Sequence, residues 1–208
     1  MKKLTIIVCF LLFSLIENVS AQNNINFSIG GGYISSPINA TKLPYWENGY
    51  SINISSDYEY SQNISFFFST SYQKHIFNEK LLFIAVPAVV GYRYRINGEN
   101  SSIIEISFGS KFYANHSSIR PYLGVGAGLL LINQGKVVIT SWMEGNSHKS
   151  TSLYSDTDNN YNLFQVNFSL GLEIELINNF QIVLDGKFIN SFEGPSYFPI
   201  AASIKFGI

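Results

Sequence analysis

The sequence predicts an all-β fold, a transmembrane antiparallel up-and-down β-barrel, and three observations support this class. Residues 164–176 alternate strictly between apolar and polar side chains, over more than the roughly nine to eleven residues with which a tilted strand crosses a bilayer. Aromatic residues make up 15% of the chain and charged residues 13%, whereas soluble domains average about 25% charged residues. After the N-terminal region, no apolar run reaches the roughly 18 residues of a membrane helix, and a non-helical backbone in lipid must close into a barrel.

Nine segments show the two-residue period that gives a strand one apolar and one polar face. They are residues 24–33, 50–60, 64–74, 82–95, 104–112, 120–131, 164–176, 180–190 and 200–208. In the first four, the apolar face carries Ile25, Phe27, Ile29; Tyr50, Ile52, Ile54, Tyr58, Tyr60; Ile64, Phe66, Phe68, Tyr72; and Leu82, Ile84, Val86, Ala88, Val90, Tyr92, Tyr94. In the later ones it carries Ile104, Ile106, Phe108, Phe112; Leu123, Val125, Ala127, Leu129; Phe164, Val166, Phe168, Leu170, Leu172, Ile174, Leu176; and Ile200, Ala202, Ile204, Phe206, Ile208.

The number of strands is the open point, because bacterial single-chain barrels have an even number. Adding the weaker candidate 136–142 gives ten strands, the favoured count; the close alternative is eight, with 136–142 in a loop and two of the nine segments misassigned. With ten strands, the links 61–63, 96–101, 132–135 and 177–179 share a predicted periplasmic end. The links 34–49, 75–81, 113–119, 143–163 and 191–199 share the extracellular end, where longer loops are expected.

This arrangement makes the longest loops the expected surface for recognising an external partner. The residues expected outside the cell are Trp46, Trp142, residues 150–162 and Glu193. Those expected in the periplasm are Asn63, Asn97 and Asn178.

The N-terminus is predicted to be a cleaved signal peptide over residues 1–21, leaving one outer-membrane β-barrel domain over residues 22–208. Lys2 and Lys3 precede an apolar run at 4–16 and a small-residue cleavage site at 19–21. A retained anchor is the alternative. Because Cys9 lies within the signal, the mature chain is expected to have no disulfide, thiol nucleophile or cysteine metal site.

Alternation alone also fits a soluble lipocalin-like barrel or a sandwich, in which the apolar face points inward. Three details favour the membrane arrangement. The polar faces are rich in Gly and Ser, which suits a narrow lumen, and Tyr and Phe gather near the strand ends, as interfacial girdles do. The chain also ends within an apolar alternation, at Phe206-Gly207-Ile208.

Several motifs resemble the small outer-membrane β-barrel domain family, which includes OmpA-type, OmpW-type and opacity-like barrels, in the style of Bacteroidota members. They are GGGY at 30–33, VP at 86–87, GYRY at 91–94 and, most specifically, RPYLGVGAG at 120–128. The resemblance implies outer-membrane lipid and, through the C-terminal strand, the barrel assembly machinery as partners. Such families usually have eight strands and often end in Phe or Trp, whereas this chain ends in Ile208.

The polar faces are expected to form a charge network in the lumen. Its predicted members are Asp57, Glu59, Arg93, Arg95, Glu105, Lys111, Glu173, Glu175, Asp185, Lys187 and Lys205. Mixed charges in a narrow, low-dielectric lumen should pair, since an unpaired one is costly, so we favour a salt-bridged plug. The alternative is a path for charged solutes, which needs a wider lumen.

Catalytic chemistry is weakly indicated, and no catalytic, cofactor-binding or metal-binding residue is predicted. His116 and Ser118 have the spacing of some outer-membrane lipid deacylases but fall in a predicted loop, and His75 and His148 lack ligand spacing. No basic patch indicates nucleic acid. The sequence therefore predicts a non-enzymatic outer-membrane barrel whose extracellular loops serve surface interaction, with an unidentified external ligand, or envelope integrity. The alternatives are a narrow channel for small or apolar solutes and a lipid-modifying enzyme.

Overall fold

The computed structural model describes residues 25–38, 45–85, 92–115, 117–143, 145, 149–153, 160–177 and 180–207. In chain order its elements are β1 (Ile25–Ile34), β2 (Trp46–Ser61), β3 (Ile64–Phe77), α1 (Glu79–Ala85), β4 (Tyr92–Gly98), β5 (Ser101–Tyr113), β6 (Ile119–Asn133), β7 (Val137–Met143), β8 (Lys149–Leu153), β9 (Asn160–Ile177), β10 (Phe180–Ser191), β11 (Ser196–Tyr197) and β12 (Pro199–Gly207). In the described part of the chain, no helix is both long and apolar enough to span a membrane.

Eight strands close into an antiparallel ring in the order β1, β2, β3, β5, β6, β9, β10 and β12. The ring closes between the first and last strands, where Ile29 of β1 is in register with Ile204 of β12, as it is with Ile54 of β2 on its other side. The predicted fold class is therefore confirmed, and the ring has the alternative count of eight strands rather than the favoured ten.

Two predicted barrel strands lie outside this ring. The segment 82–95 was predicted wrongly as a strand of the barrel: it contains most of α1, which begins after Asn78, whose Oδ1 accepts a hydrogen bond from the Lys80 backbone N–H (2.9 Å). Its last residues belong to β4, which pairs with β7, and β7 pairs with β8 in a separate three-stranded sheet. The candidate 136–142 is thus a strand, β7, but of this small sheet. Alternation identifies a strand without identifying its partner.

The connections of the ring fall into two sets. At one end, the short-connection end, lie the links between β2 and β3, β5 and β6, and β9 and β10. At the other, the long-connection end, lie the links between β1 and β2, β3 and β5, β6 and β9, and β10 and β12, with α1 and the small sheet. The links 96–101 and 132–135 therefore belong to the long-connection end and 113–119 to the short one, which corrects the sequence assignment. Asn97, which was expected in the periplasm, therefore lies at the long-connection end as well.

The ring is apolar outside and polar inside. Outward-facing Leu170 and Ile200 are 66% and 63% exposed, whereas inward-facing Glu173 and Lys205 are each 1% exposed. A soluble fold buries its apolar face and seldom buries charge. The soluble alternative is therefore wrong, and the barrel has the inverted arrangement of a membrane protein.

At the long-connection end, the chain forms an apolar core above the lumen, here called the cap cluster. Its buried members are Ile34, Trp46, Leu82, Ile96, Ile103, Leu130, Ile132, Val137, Ile139, Ile189 and Tyr197. Trp46, expected in an external loop, instead begins β2, is 2% exposed and donates its Nε1–H to the Glu99 carbonyl oxygen (3.0 Å). The cap cluster joins α1 and the small sheet to the ring, so this end of the barrel is covered by packed side chains.

Candidate functional site

The barrel interior is the candidate site, because it gathers inward-facing charged side chains from six strands. In the layer nearer the short-connection end, Lys111 of β5 lies 2.8 Å from Asp57 of β2 and 3.5 Å from Glu173 of β9. Lys205 of β12 lies 3.3 Å from the same Asp57 and 2.9 Å from the same Glu173. Two lysines and two carboxylates thus form a closed square of ion pairs across the lumen, here called the lysine square. Such geometry offsets part of the cost of removing four charges from water.

Further groups extend the lysine square toward the short-connection end. Glu59 pairs with Arg120 at 3.2 Å and, more distantly, with Lys205 at 3.9 Å. The Tyr113 hydroxyl donates to Glu173 Oε1 (2.9 Å), and the Arg120 guanidinium lies 4.1 Å from the centre of the Tyr113 ring. Cation–π contact and a charge-assisted hydrogen bond therefore fix the positions of the carboxylate and the guanidinium.

A second polar layer lies nearer the cap cluster. Glu105 of β5 pairs with Lys187 of β10 at 3.2 Å. The same carboxylate accepts hydrogen bonds from Ser71 Oγ (3.1 Å) and Gln73 Nε2 (3.0 Å) on β3. Glu105 is 2% exposed, and its three donors satisfy the lone pairs that burial would otherwise leave bare.

Between the two layers lies a small cavity of about 60 Å³, here called the serine chamber. It is lined by Ser28, Asn53, Ser55, Phe67, Ser69, Ser71, Lys111, Tyr122, Ser169, Val183, Asp185, Lys187 and Ser203. The Tyr122 hydroxyl donates to Asp185 Oδ1 at 2.7 Å. Tyr122 can lie across the wall because its neighbour is Gly171, where a Cβ atom would come within 2.4 Å of the Tyr122 ring.

The structure brings together most of the residues that the sequence assigned to the lumen. Seven of them take part in the ion pairs: Asp57, Glu59, Glu105, Lys111, Glu173, Lys187 and Lys205. Asp185 joins through Tyr122. Arg93 and Arg95 are exposed on β4, outside the ring, because their segment pairs with β7. Glu175 lies at the exposed end of β9.

The predicted charge network left out Arg120, Tyr113 and Tyr122, which belong to it in the structure. The signal was present, since Arg120 and Tyr122 share the parity of the inward Gly124 on β6, and Tyr113 follows Lys111 by two on β5. A tyrosine near the end of a barrel strand suggests an outward, interfacial position. It can also face the lumen, provided that its hydroxyl finds a hydrogen-bond partner there.

The remaining candidates within the described residues do not come together in a second site. His116 and His148 lie outside the described residues, and Ser118 is held in the β5–β6 link, where its carbonyl oxygen accepts from the Glu175 backbone N–H (2.8 Å). His75 is buried at the long-connection end, with Nδ1 3.0 Å from the Glu47 carbonyl oxygen and its ring centre 5.7 Å from that of Tyr197. Among the described residues, no group of three or more His, Cys, Asp or Glu is placed to hold a metal ion.

The residues expected in the external loops are placed as follows. Trp142 is half-buried on β7, and Glu193 is exposed at the long-connection end. Of residues 150–162, the first four belong to β8 and the last three to β9, while 154–159 lie outside the described residues, as does Asn178.

Tyr197 is a fully buried phenol at the long-connection end. Burial raises the pKa of its hydroxyl well above the ordinary value, because it disfavours the phenolate.

Comparison with known proteins gives similarity only at the level of the barrel. No known family profile and no curated protein matches the chain. Among solved structures it is similar to Neisserial surface protein A (10% identity, 88% of this chain and 96% of that one, TM-score 0.49). It is also similar to the attachment invasion locus protein of Yersinia pestis (17% identity, 87% and 98%, TM-score 0.47). A third is the N-terminal barrel domain of Pseudomonas aeruginosa OprF (11% identity, 89% and 98%, TM-score 0.46). With TM-scores below 0.5, the fold class rests on the chain's own closed ring.

Proposed function

We propose that this chain is an integral outer-membrane β-barrel protein without enzymatic activity, closed to solutes, whose role lies in surface interaction or envelope integrity at its long-connection end. The observation that carries the proposal is the inverted barrel itself. Its exterior exposes apolar side chains on all eight ring strands, and its interior buries paired charges. Only lipid solvates such an exterior without cost.

Export and assembly complete the membrane part of the proposal. A signal peptide over residues 1–21 would deliver the barrel domain 22–208 to the envelope. Outer-membrane lipid is then its first partner. The barrel assembly machinery would recognise β12, which is the last strand in the sequence, pairs with β1, and carries Ile200, Ile204 and Phe206 on its outward face.

The closed lumen supports a role other than transport or catalysis. The lysine square and the Glu105–Lys187 pair occupy the cross-section at two levels, with the serine chamber of about 60 Å³ between them. The cap cluster covers the far end. The interior carboxylates and lysines therefore serve as structural partners of one another, which leaves the exposed long-connection end to carry a specific role.

The described part of that end includes a short helix and a small sheet. The small sheet presents Arg93 and Arg95 on one face and packs Ile96 and Ile139 into the cap cluster with the other. A folded scaffold that holds exposed side chains in fixed positions is the usual basis of recognition by loops. The external ligand is unidentified.

Planar-bilayer recording tests the closed lumen, and gel migration tests the barrel. The purified protein should migrate differently with and without boiling, because a folded barrel resists detergent until heated. Reconstituted at the same density as a porin standard, it should give no steady single-channel steps. A large, steady, porin-like conductance would contradict the closed lumen and support the channel alternative.

A further inference from the structure

The described barrel interior contains one more carboxylate than cation. Between the short-connection end and the Glu105–Lys187 pair, its four cations are Lys111, Arg120, Lys187 and Lys205, and its five carboxylates are Asp57, Glu59, Glu105, Glu173 and Asp185. Glu175 is exposed at the end of β9 and does not belong to this set. A surplus negative charge within a low-dielectric wall is costly unless a further cation accompanies it.

Asp185 is the carboxylate that accounts for the surplus. Each of the other four lies within 4.0 Å of a lysine or arginine nitrogen, and Lys111 and Lys187, which also line the serine chamber, are committed to those partners. The hydrogen bond that the structure gives Asp185 comes from the neutral Tyr122 hydroxyl at 2.7 Å. One neutral donor stabilises a carboxylate but does not neutralise it.

Asp185 faces a chamber with oxygen ligands. Asn53 lines the same cavity, its Nδ2 donates to Ser203 Oγ (3.2 Å), and its buried Oδ1 has no hydrogen-bond partner. Further serines line the cavity, among them Ser55, Ser69 and Ser169. The cavity of about 60 Å³ exceeds the roughly 10–15 Å³ that a single water needs, so it has room for one ion with water.

We propose that the serine chamber binds a small monovalent metal cation, Na⁺ or K⁺, with the Asp185 carboxylate and the Asn53 carbonyl oxygen as its principal ligands. Carboxylate, amide and hydroxyl oxygens are the ligands of hard cations. The two lysines that also line the chamber are already paired with other carboxylates, so the Asp185 carboxylate matches one positive charge, and the bound cation makes the interior electrically neutral. The cation therefore acts as a counter-ion locked between the two ion-pair layers.

Urea unfolding in detergent micelles at matched ionic strength tests this site. In NaCl or KCl the midpoint should lie higher than in N-methyl-D-glucamine chloride, whose cation is too large for the chamber, and it should rise to a plateau as the alkali salt replaces the organic one. Asp185→Asn should lose this dependence. The matched control Glu193→Gln changes an exposed carboxylate and should keep it.

A second variant and a direct measurement cover the case in which Asp185→Asn does not assemble. Asn53→Ala keeps the charge and removes one ligand, so the plateau should require at least several-fold more salt. Crystals grown with Tl⁺ should show an anomalous peak inside the chamber. Equal midpoints in all three salts, an unchanged salt dependence in the variants, or no Tl⁺ peak would overturn the proposal. Stability that depends on pH without any cation preference would also overturn it, because a proton would then neutralise Asp185.

Discussion

Replacing Lys205 with methionine removes one corner of the lysine square while keeping the length of the side chain. Lys205 is 1% exposed and lies 2.9 Å from Glu173 and 3.3 Å from Asp57. Removing one partner of a buried ion pair costs about 3–5 kcal/mol, because the remaining charge keeps its desolvation cost. Lys111 still contacts both carboxylates at 2.8 and 3.5 Å, so the loss should fall at the lower end, about 3 kcal/mol.

The assay is equilibrium urea unfolding of the refolded barrel in lipid vesicles, followed by tryptophan fluorescence. At an m-value of about 2 kcal/mol per molar urea, the loss lowers the midpoint by about 1.5 M. Lys80→Met, on the exposed start of α1, is the matched control and should change stability by less than about 0.5 kcal/mol. The double variant Lys205→Met/Glu173→Gln should recover part of the loss, since one surplus charge is then removed. A Lys205→Met midpoint equal to that of the parent would refute the reasoning.

Two further predictions concern the faces and ends of the barrel. Phe168→Arg places a cation on the outer face, where Phe168 is 57% exposed, and should lower the free energy of unfolding in vesicles by about 2–4 kcal/mol. The neighbouring inward variant Ser169→Arg should instead crowd Gly124 on the adjacent strand. If Phe168→Arg unfolded at the same urea concentration as the parent, the lipid-facing assignment would be wrong. An epitope inserted at Glu193 should bind antibody on intact cells, because long connections lie outside the cell in such barrels. An epitope at Asn63, in a short turn, should bind antibody only after the outer membrane is permeabilised. If only the Asn63 epitope were detected on intact cells, the assigned orientation would be wrong.

The faces of the strands could be predicted from the sequence because the two-residue period is local. Eight of the nine predicted segments are ring strands, and in β2 and β9 the inward positions are the predicted ones, such as Asp57 and Glu173. Pairing is not local. Residues 92–98 alternate as well as any ring strand, yet they pair with β7, and nothing in their own pattern distinguishes the two partners.

The interior site was predictable to the same extent and for the same reason. Lys111 and Lys205 follow from parity alone, whereas their distances to Asp57 and Glu173 depend on the stagger of strands far apart in sequence. Arg93 was assigned inward only because its strand was assigned to the ring. The surplus charge at Asp185 becomes visible only when each ion pair has been located in space.

The inward side chains also indicate where the barrel leaves the hydrocarbon layer of the membrane. Along β6 they are Tyr122, Gly124, Gly126 and Gly128 up to the level of the chamber, and then Leu130 and Ile132, both buried in the cap cluster. On β5, the same change occurs between Glu105 and Ile103. In lipid, apolar side chains gain nothing by moving inward, so the lumen can be filled by polar groups that pair. Beyond the bilayer, the segment must bury its own apolar residues as a soluble domain does. We therefore expect the outer edge of the hydrocarbon layer to lie near Ile103 and Leu130, with α1 and the small sheet on the water side.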